Sequence, residues 1–313
     1  MAEIRSVAIV GAGAMGCFFA ARLGEAGVDV TVIDVDAPRL EAMARDGITL
    51  TDDFGERTVR IAAAKAEDLK GPVDLIILYT KGMHSAAACA SVKHLAGPDT
   101  WAMSAQNGLG NAEILASVFP PDRVIVGATG LPADLQGPTQ VSSHGNGQVW
   151  LNGFNRAADA GAAPVAAVLQ KGRIDAVVDP KVQVSIWEKV AFNAALNALG
   201  AITLLPNGPL DVPAGREVAF GVMDEAVAVA HAKGIPVDKD HIKERIEYAL
   251  AHHTAHKASM LQDRLAGRRT EIEQINGAIV REAQAAGLQA PINATLANLM
   301  RLIETHKTGA ATA

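Results

Sequence analysis

A short apolar run, Val7-Ala8-Ile9-Val10, leads into Gly11-Ala12-Gly13-Ala14-Met15-Gly16 and then into the alanine-rich Cys17-Phe18-Phe19-Ala20-Ala21-Arg22-Leu23. A strand, a glycine turn and a helix in that order leave few folds open. The glycines fit G-x-G-x-x-G: Gly11 permits the tight turn, Gly13 lets a pyrophosphate approach the backbone, and Gly16 lets helix and strand pack closely. Free N–H groups at the helix start, those of Ala14 and Met15 among them, would face the anion. Alone, such a pattern is weak. A second apolar run, residues 28–33, strengthens it by ending in Asp34, which is placed to bond the adenosine ribose hydroxyls. Its charge would repel a 2′-phosphate, so the pattern favours NAD over NADP. The alternative is an aspartate that caps a turn and holds no ligand.

The chain has 313 residues, more than a typical single domain, so two domains are expected. Hydrophobic residues make up 49% and charged ones 20%, enough apolar material for a sizeable core. A net charge of −6 without a basic cluster argues against nucleic acid or an anionic membrane as the main partner. The opening Met-Ala-Glu-Ile-Arg-Ser lacks a charged n-region, a long apolar core and a cleavage site. No uncharged apolar run approaches the roughly 18 residues a membrane helix needs. Cys17 and Cys89 read as packed side chains in a reducing compartment. Together these features describe a soluble, cytoplasmic protein.

Strand-like segments occur at residues 57–62, 73–80, 100–104 and 123–126, with helical patterns between several of them. The run ending at Thr80 is nearly all apolar, as suits a parallel strand covered on both faces. Ligands of open α/β sheets sit outside the carboxyl ends of strands, which makes Lys81 and Gln106-Asn107-Gly108 candidate lip residues. Taken singly, each is better read as a solvated lysine or an ordinary Asn-Gly turn. Residues 139–153 alternate around Gly145 to Gly147 and read as an antiparallel hairpin at one sheet edge. A last short strand spans 174–178, and Asp179-Pro180 supplies a break. The expected architecture is α/β: a Rossmann-type dinucleotide-binding domain over residues 1–179 and an all-α domain over 180–313.

The second half is helical. Residues 217–233 and 238–253 read as helices, and Ile292, Leu296, Leu299, Met300 and Ile303 recur on one apolar face. Thr270-Glu271-Ile272-Glu273 has capping-box spacing, which would start a helix with Ile272, Ile275 and Ile279 inward and Glu271 at its first position. There the helix dipole would help keep the Glu271 carboxylate ionised. The most telling helix is residues 186–197. Lys189, Asn193 and Asn197 fall at i, i+4 and i+8 and so project along one stripe, while the remaining faces are apolar. Two explanations stand: a lysine that snorkels to solvent beside two backbone-bonded asparagines, or the polar wall of a cleft where an ammonium gives a proton and amides hold a polar substrate. His252 and His256 also share i, i+4 spacing, but no Glu follows His252 and no third metal ligand is evident, so the preferred reading is a polar helix face with one histidine, His256, turned to the cleft as a substrate-binding residue.

The ordered set Gly11-x-Gly-x-x-Gly16, Thr80-Lys81, Gln106-Asn-Gly108, Lys189-x-x-x-Asn193-x-x-x-Asn197, Ser259-Met-Leu-Gln-Asp263 and Thr270-Glu-Ile-x-x-Ile-Asn-Gly277 resembles the ketopantoate reductase (2-dehydropantoate 2-reductase) family. The match runs from about residue 4 to about residue 300. The resemblance implies a Rossmann domain, a helical domain, and a cleft between them for a nicotinamide cofactor and a 2-keto acid, in pantothenate biosynthesis. It implies Lys189 as general acid and Glu271 as the carboxylate beside that lysine and the nicotinamide. Asn193, Asn197 and Ser259 would bind substrate, Asn107 would lie near the nicotinamide ribose and reacting carbonyl, and Lys81 would touch the cofactor. A homodimer is compatible with it.

Two positions depart from the family pattern. Asp34 stands where many members carry a basic residue and use NADPH, and His256 stands where a smaller polar residue such as Asn is expected, on the face of Ser259. The first bears on the cofactor and the second on the substrate, since an NAD-linked enzyme can run in the oxidative, catabolic direction. The sequence therefore points to hydride transfer between NAD and a 2-keto or 2-hydroxy acid. An NAD-dependent 3-hydroxyacid dehydrogenase and a non-catalytic NAD sensor are the competing readings.

Overall fold

The glycine turn joins β1 (Ser6–Val10) to α1 (Ala14–Glu25) in a computed structural model that describes residues 3–309. Next along the chain are β2 (Asp29–Ile33), α2 (Ala37–Asp46), β3 (Ile48–Asp52), β4 (Gly55–Val59), β5 (Ala62–Ala64), β6 (Val73–Leu78), α3 (Ser85–Val92), β7 (Ala96–Ser104) and α4 (Asn111–Val118). Then come β8 (Val124–Thr129), β9 (Asp134–Gln136), β10 (Gln140–Ser143), β11 (Val149–Gly153), α5 (Asp159–Lys171) and β12 (Ala176–Val178). Eight strands form one sheet in the order β12-β11-β8-β7-β6-β1-β2-β5, and four form a smaller sheet, β4-β3-β10-β9. In the large sheet every neighbouring pair is parallel except β11 and β8. Parallel strands covered on both faces should be apolar throughout, and Ile9, Leu75, Ile76 and Ile77 are buried at 1% exposure or less. The carboxyl ends of β1, β2, β5 and β6 lie side by side, which collects the glycine turn, Asp34, Lys65 and the Tyr79 to Lys81 segment at one edge.

Two expectations about strands fail for identifiable reasons. Residues 139–153 are not a hairpin: β10 and β11 belong to different sheets. The Gly145 N–H donates to Asp53 Oδ2 at 3.0 Å, fastening the segment to the β3–β4 turn, and β10 finds its antiparallel partner in β9 instead. Residues 57–62 are likewise divided between β4 and β5, one in each sheet. Ile61 packs into the space left by Gly24 of α1, where an added Cβ would come within 2.2 Å of its Cδ1, and the chain changes sheets there.

The second unit is built from α6 (Val182–Thr203), α7 (Pro213–Ala232), α8 (Lys239–His252), α9 (Ser259–Leu265), α10 (Asn276–Ala285) and α11 (Pro291–Gly309). Its core includes Trp187, Val190 and Ala194 of α6 with Val222, Ile246, Ile279 and Met300. Of the stripe expected on α11, Leu296 and Met300 are buried, but Leu299 is 40% exposed and belongs to the outer face. Among the described residues no helix is long and apolar enough to cross a membrane.

A single cut after residue 179 does not describe the division of the chain. The first unit runs to Gln106, resumes at Asn111 and ends at Val182, while Asn107–Gly110 goes with the second unit. The cause is local: the Leu109 N–H donates to the Gln274 carbonyl at 2.8 Å, and Gly108, at φ 86°, lies so close that an added Cβ would sit 2.3 Å from that oxygen.

The expected cap at Thr270 is absent. The helix α10 begins only at Asn276, and residues 271–275 form turns in which Glu271 O accepts from the N–H groups of Gln274 and Ile275, each at 3.1 Å. Thr270 gives its hydroxyl and its N–H to the Glu304 carboxylate of α11, while Glu273 is taken by Arg301. Charge-assisted partners from a distant helix thus outcompete the local reciprocal cap. Ile272, Ile275 and Ile279 are nonetheless buried, so the apolar spacing held while the cap did not.

Candidate active site

In the first unit a cavity of about 650 Å³ opens at the strand ends, lined by Gly11, Gly13, Asp34, Tyr79 and Lys81 among others. Each glycine does something different there. Gly11, at φ 108°, packs against the backbone at Thr80, whose N would lie 2.7 Å from an added Cβ. Gly16 lies against the turn itself, with Gly11 O only 1.9 Å from such an atom. Gly13 has nothing within 4 Å and is open. It also caps α1 without any side-chain bond to the first amides, and no acidic residue occupies the first turn, which leaves that end receptive to an anion.

Asp34 does two jobs. Its Oδ2 accepts from Ala12 N at 2.6 Å, which ties the glycine turn to β2, and its Oδ1 accepts from Val35 N and Asp36 N. A carboxylate has about four acceptor positions, so about one remains for a ribose hydroxyl. The Tyr79 hydroxyl is buried without a hydrogen-bond partner among the described residues, and its pKa is driven well above the usual tyrosine value by burial. An open Gly13, an uncapped helix end and a carboxylate on the rim fit a dinucleotide.

Sequence reasoning found Gly11, Gly13, Asp34 and Lys81 but missed Val35, Lys65, Glu67 and His84, which line the same cavity. The rule that ligands gather at strand ends would have reached Lys65 had β5 been recognised, since Lys65 comes directly after it. Gln106 turns inward instead, donating from Nε2 to Thr80 O and Ser85 Oγ, and so braces the segment that carries Lys81.

In the second unit Lys189, Asn193 and Asn197 lie along α6 as the spacing requires. Asn197 is buried at 5% exposure, and Lys189 and Asn193 are half-buried. The Lys189 pKa falls from 10.5 to about 8, chiefly because burial disfavours the ammonium; the Glu271 carboxylate opposes the fall and the Arg245 charge adds to it. The turn that carries Glu271 is anchored at its far end, where α10 begins. Asn276, fully buried, donates from Nδ2 to the Ala194 carbonyl of α6 at 3.1 Å and to Asn293 Oδ1 at 3.0 Å. Asn276 thereby locks the turn to the helix that bears Lys189, a role that sequence reasoning did not give it.

Asn197 Nδ2 donates to Ser259 Oγ at 3.4 Å, joining α6 to the start of α9. Ser259 is exposed. His256 does not share a helix face with Ser259: α8 ends at His252 and residues 253–258 form a loop, in which the His256 carbonyl accepts from Asn207 N and the imidazole is exposed. Among the described residues no group of three or more His, Cys, Asp or Glu is arranged to hold a metal ion.

A dinucleotide-binding Rossmann unit joined to a helical unit with a lysine and amide stripe defines an NAD(P)-dependent oxidoreductase of hydroxy and keto acids. The chain belongs to the ketopantoate reductase PanE/ApbA family, matching its N-terminal description over residues 7–156 and its C-terminal description over residues 181–304. It is 31% identical over 300 residues to the 2-dehydropantoate 2-reductase of Halobacterium salinarum, covering 95% of this chain and 98% of the relative. Identity to the enzyme of the same name from Archaeoglobus fulgidus is 32% over 305 residues, covering 97% and 99%. Among solved structures, D-mandelate dehydrogenase with NADH and anilino(oxo)acetate superimposes with a TM-score of 0.92 at 28% identity, covering 97% of this chain and 99% of that one. A PanE/ApbA family ketopantoate reductase from Ralstonia eutropha gives 0.88 at 30%, with the same coverage.

Proposed function

We propose that this protein is an NAD-preferring 2-keto acid reductase or 2-hydroxy acid dehydrogenase in which Lys189 is the general acid and base. The observation that carries the reading is the Lys189 amine, whose pKa of about 8 lies near working pH on a stripe with Asn193 and Asn197. The nicotinamide, when bound, supplies or takes up the hydride at C2 of the acid. In reduction the ammonium at Lys189 Nζ gives a proton to the ketone oxygen, so that the developing alkoxide is neutralised as it forms. In oxidation the neutral amine takes that proton back. Glu271 keeps the lysine protonated at neutral pH. Asn193, Asn197 and Ser259 offer donors and acceptors for the carboxylate and hydroxyl groups of the acid, and Asn107 serves the nicotinamide ribose and the carbonyl.

Gly11, Gly13, Gly16, Asp34 and Lys81 hold the dinucleotide, with the Ala14 and Met15 amides facing its phosphates. Asp34 supports NAD over NADP because its charge opposes a 2′-phosphate. The likeness to a D-mandelate dehydrogenase that holds NADH supports the same preference and widens the substrate class beyond ketopantoate. We place the protein in the cytoplasm, which its two buried free thiols support, and expect a homodimer.

The test monitors NADH absorbance with ketopantoate, phenylglyoxylate and branched 2-keto acids, and the reverse reaction with the matching 2-hydroxy and 3-hydroxy acids. Turnover confined to 2-substituted acids is expected. Activity on 3-hydroxy acids alone, or tight NADH binding without any hydride transfer, would overturn the proposal.

A further inference from the structure

Arg245 stands on the exposed side of α8, and among the described residues its guanidinium makes no hydrogen bond or ion pair. Its contact is the ring of Phe192, with Cζ 5.1 Å from the centroid. Other arginines of the same unit are engaged differently: Arg216 holds Asp211, Arg264 two carbonyls of α6, and Arg301 the Glu273 carboxylate. Phe192 lies three residues past Lys189 and directly before Asn193, so this cation borders the polar stripe. Its charge reaches the stripe as well, since it contributes to lowering the Lys189 pKa.

A guanidinium over an aromatic ring is held by its face, and the N–H fork at its edge stays free to meet a planar anion. A carboxylate is the anion that matches that fork. The proposed substrate is an acid that must bring its negative charge close to Glu271, which repels it. Lys189 is committed to the ketone oxygen and to Glu271. A further cation is what such a substrate lacks.

We propose that Arg245 is a substrate-binding residue that pairs with the carboxylate of the 2-keto acid, its guanidinium held in place by the Phe192 ring. This rests on the reading that Lys189 serves a 2-keto acid. It adds to the reaction a charge-selecting residue outside the lysine and amide stripe, and it explains why an arginine on a helix surface is stacked on an aromatic ring and paired with nothing else among the described residues.

The experiment is titration calorimetry on the enzyme saturated with NADH, using oxamate as the anionic probe and oxamide as its uncharged counterpart. The proteins are wild type, Arg245→Gln and Arg245→Lys. Oxamate affinity should fall roughly 10- to 100-fold in Arg245→Gln and recover in part in Arg245→Lys, while oxamide affinity stays unchanged. Because Arg245 is exposed, unchanged melting temperatures are expected and would exclude misfolding. Equal oxamate affinity in wild type and Arg245→Gln, or a wild type that binds oxamate no better than oxamide, would overturn the proposal. NADH oxidation by the wild type is read separately: turnover with Arg245→Gln indifferent sinks only the arginine's role. The full oxamate pattern without turnover on any 2-keto acid sinks only the hydride-transfer reading.

Discussion

The Glu271 carboxylate, in the turn before α10, works against the fall in pKa that burial imposes on the Lys189 amine of α6. One group sets how much proton the other can give. Replacing Glu271 with Gln removes the opposing charge, so the Lys189 pKa should drop below 8. In the proposed reaction reduction uses the ammonium, and its kcat/KM should decline as pH rises through that pKa. The declining limb therefore moves to lower pH in Glu271→Gln, and a pH profile whose limb stays put would separate the two residues.

Asp34 should govern the choice of cofactor. In Asp34→Arg the repulsion of a 2′-phosphate becomes attraction, and the ratio of kcat/KM for NADPH over NADH should rise by roughly 10-fold or more. Part of the absolute rate will be lost, because Asp34 also holds the Ala12 N–H. An unchanged ratio would mean that the carboxylate only braces the turn.

Gly13 and Gly16 should separate binding from folding. Gly16→Ala pushes a methyl group to within 1.9 Å of Gly11 O, so the turn must shift and the melting temperature should fall. Gly13→Ala meets no protein atom within 4 Å and should melt as the wild type does, yet bind NADH more weakly, because the methyl group occupies space a pyrophosphate needs. Calorimetric melting and fluorescence titration with NADH check the pair; equal NADH affinity in Gly13→Ala would place the phosphates elsewhere.

Stability should depend on a buried ion cluster away from the chemistry. The Asp52 carboxylate pairs with Arg22 at 2.8 Å and with Arg57 at 2.6 Å, and the Asp52 and Arg22 side chains are only 1% and 7% exposed. Burial pulls the Asp52 pKa upward, but the bonds from Arg57 and the Phe54 N–H, with the neighbouring positive charges, leave it below the usual carboxylate value. A lowered native pKa means stability that is present above the unfolded value near 4 and lost as pH falls through the native one. Asp52→Asn, which strands Arg22, should cost about 3–5 kcal/mol by urea unfolding near neutral pH and flatten the acid loss. A cost under about 1 kcal/mol would show that the cluster relaxes into water.

What the sequence made legible was whatever depends on near neighbours in the chain. The strand, glycine turn and helix at Val10 to Gly16 arise from local backbone and packing requirements, and so does the Lys189 stripe, which needs only helical periodicity. The errors came where distant partners decide. Glu304 and Arg301 of α11 took the groups that would have capped a helix at Thr270, and the Asp53 carboxylate captured Gly145 and divided β10 from β11. The loop at His256 and the lock between Asn276 and Ala194 are of the same kind. Arg245 and Phe192 lie on different helices, and no spacing in the chain announces that pair.

The most direct measurement compares wild type and Lys189→Ala for NADH oxidation with the best 2-keto acid, alongside NADH binding by fluorescence. Turnover should fall roughly 10²- to 10⁴-fold while NADH affinity is retained, as expected when a proton donor is removed from an intact cofactor site. Turnover by Lys189→Ala within a few-fold of wild type would contradict the role given to this lysine and leave the proton to another group.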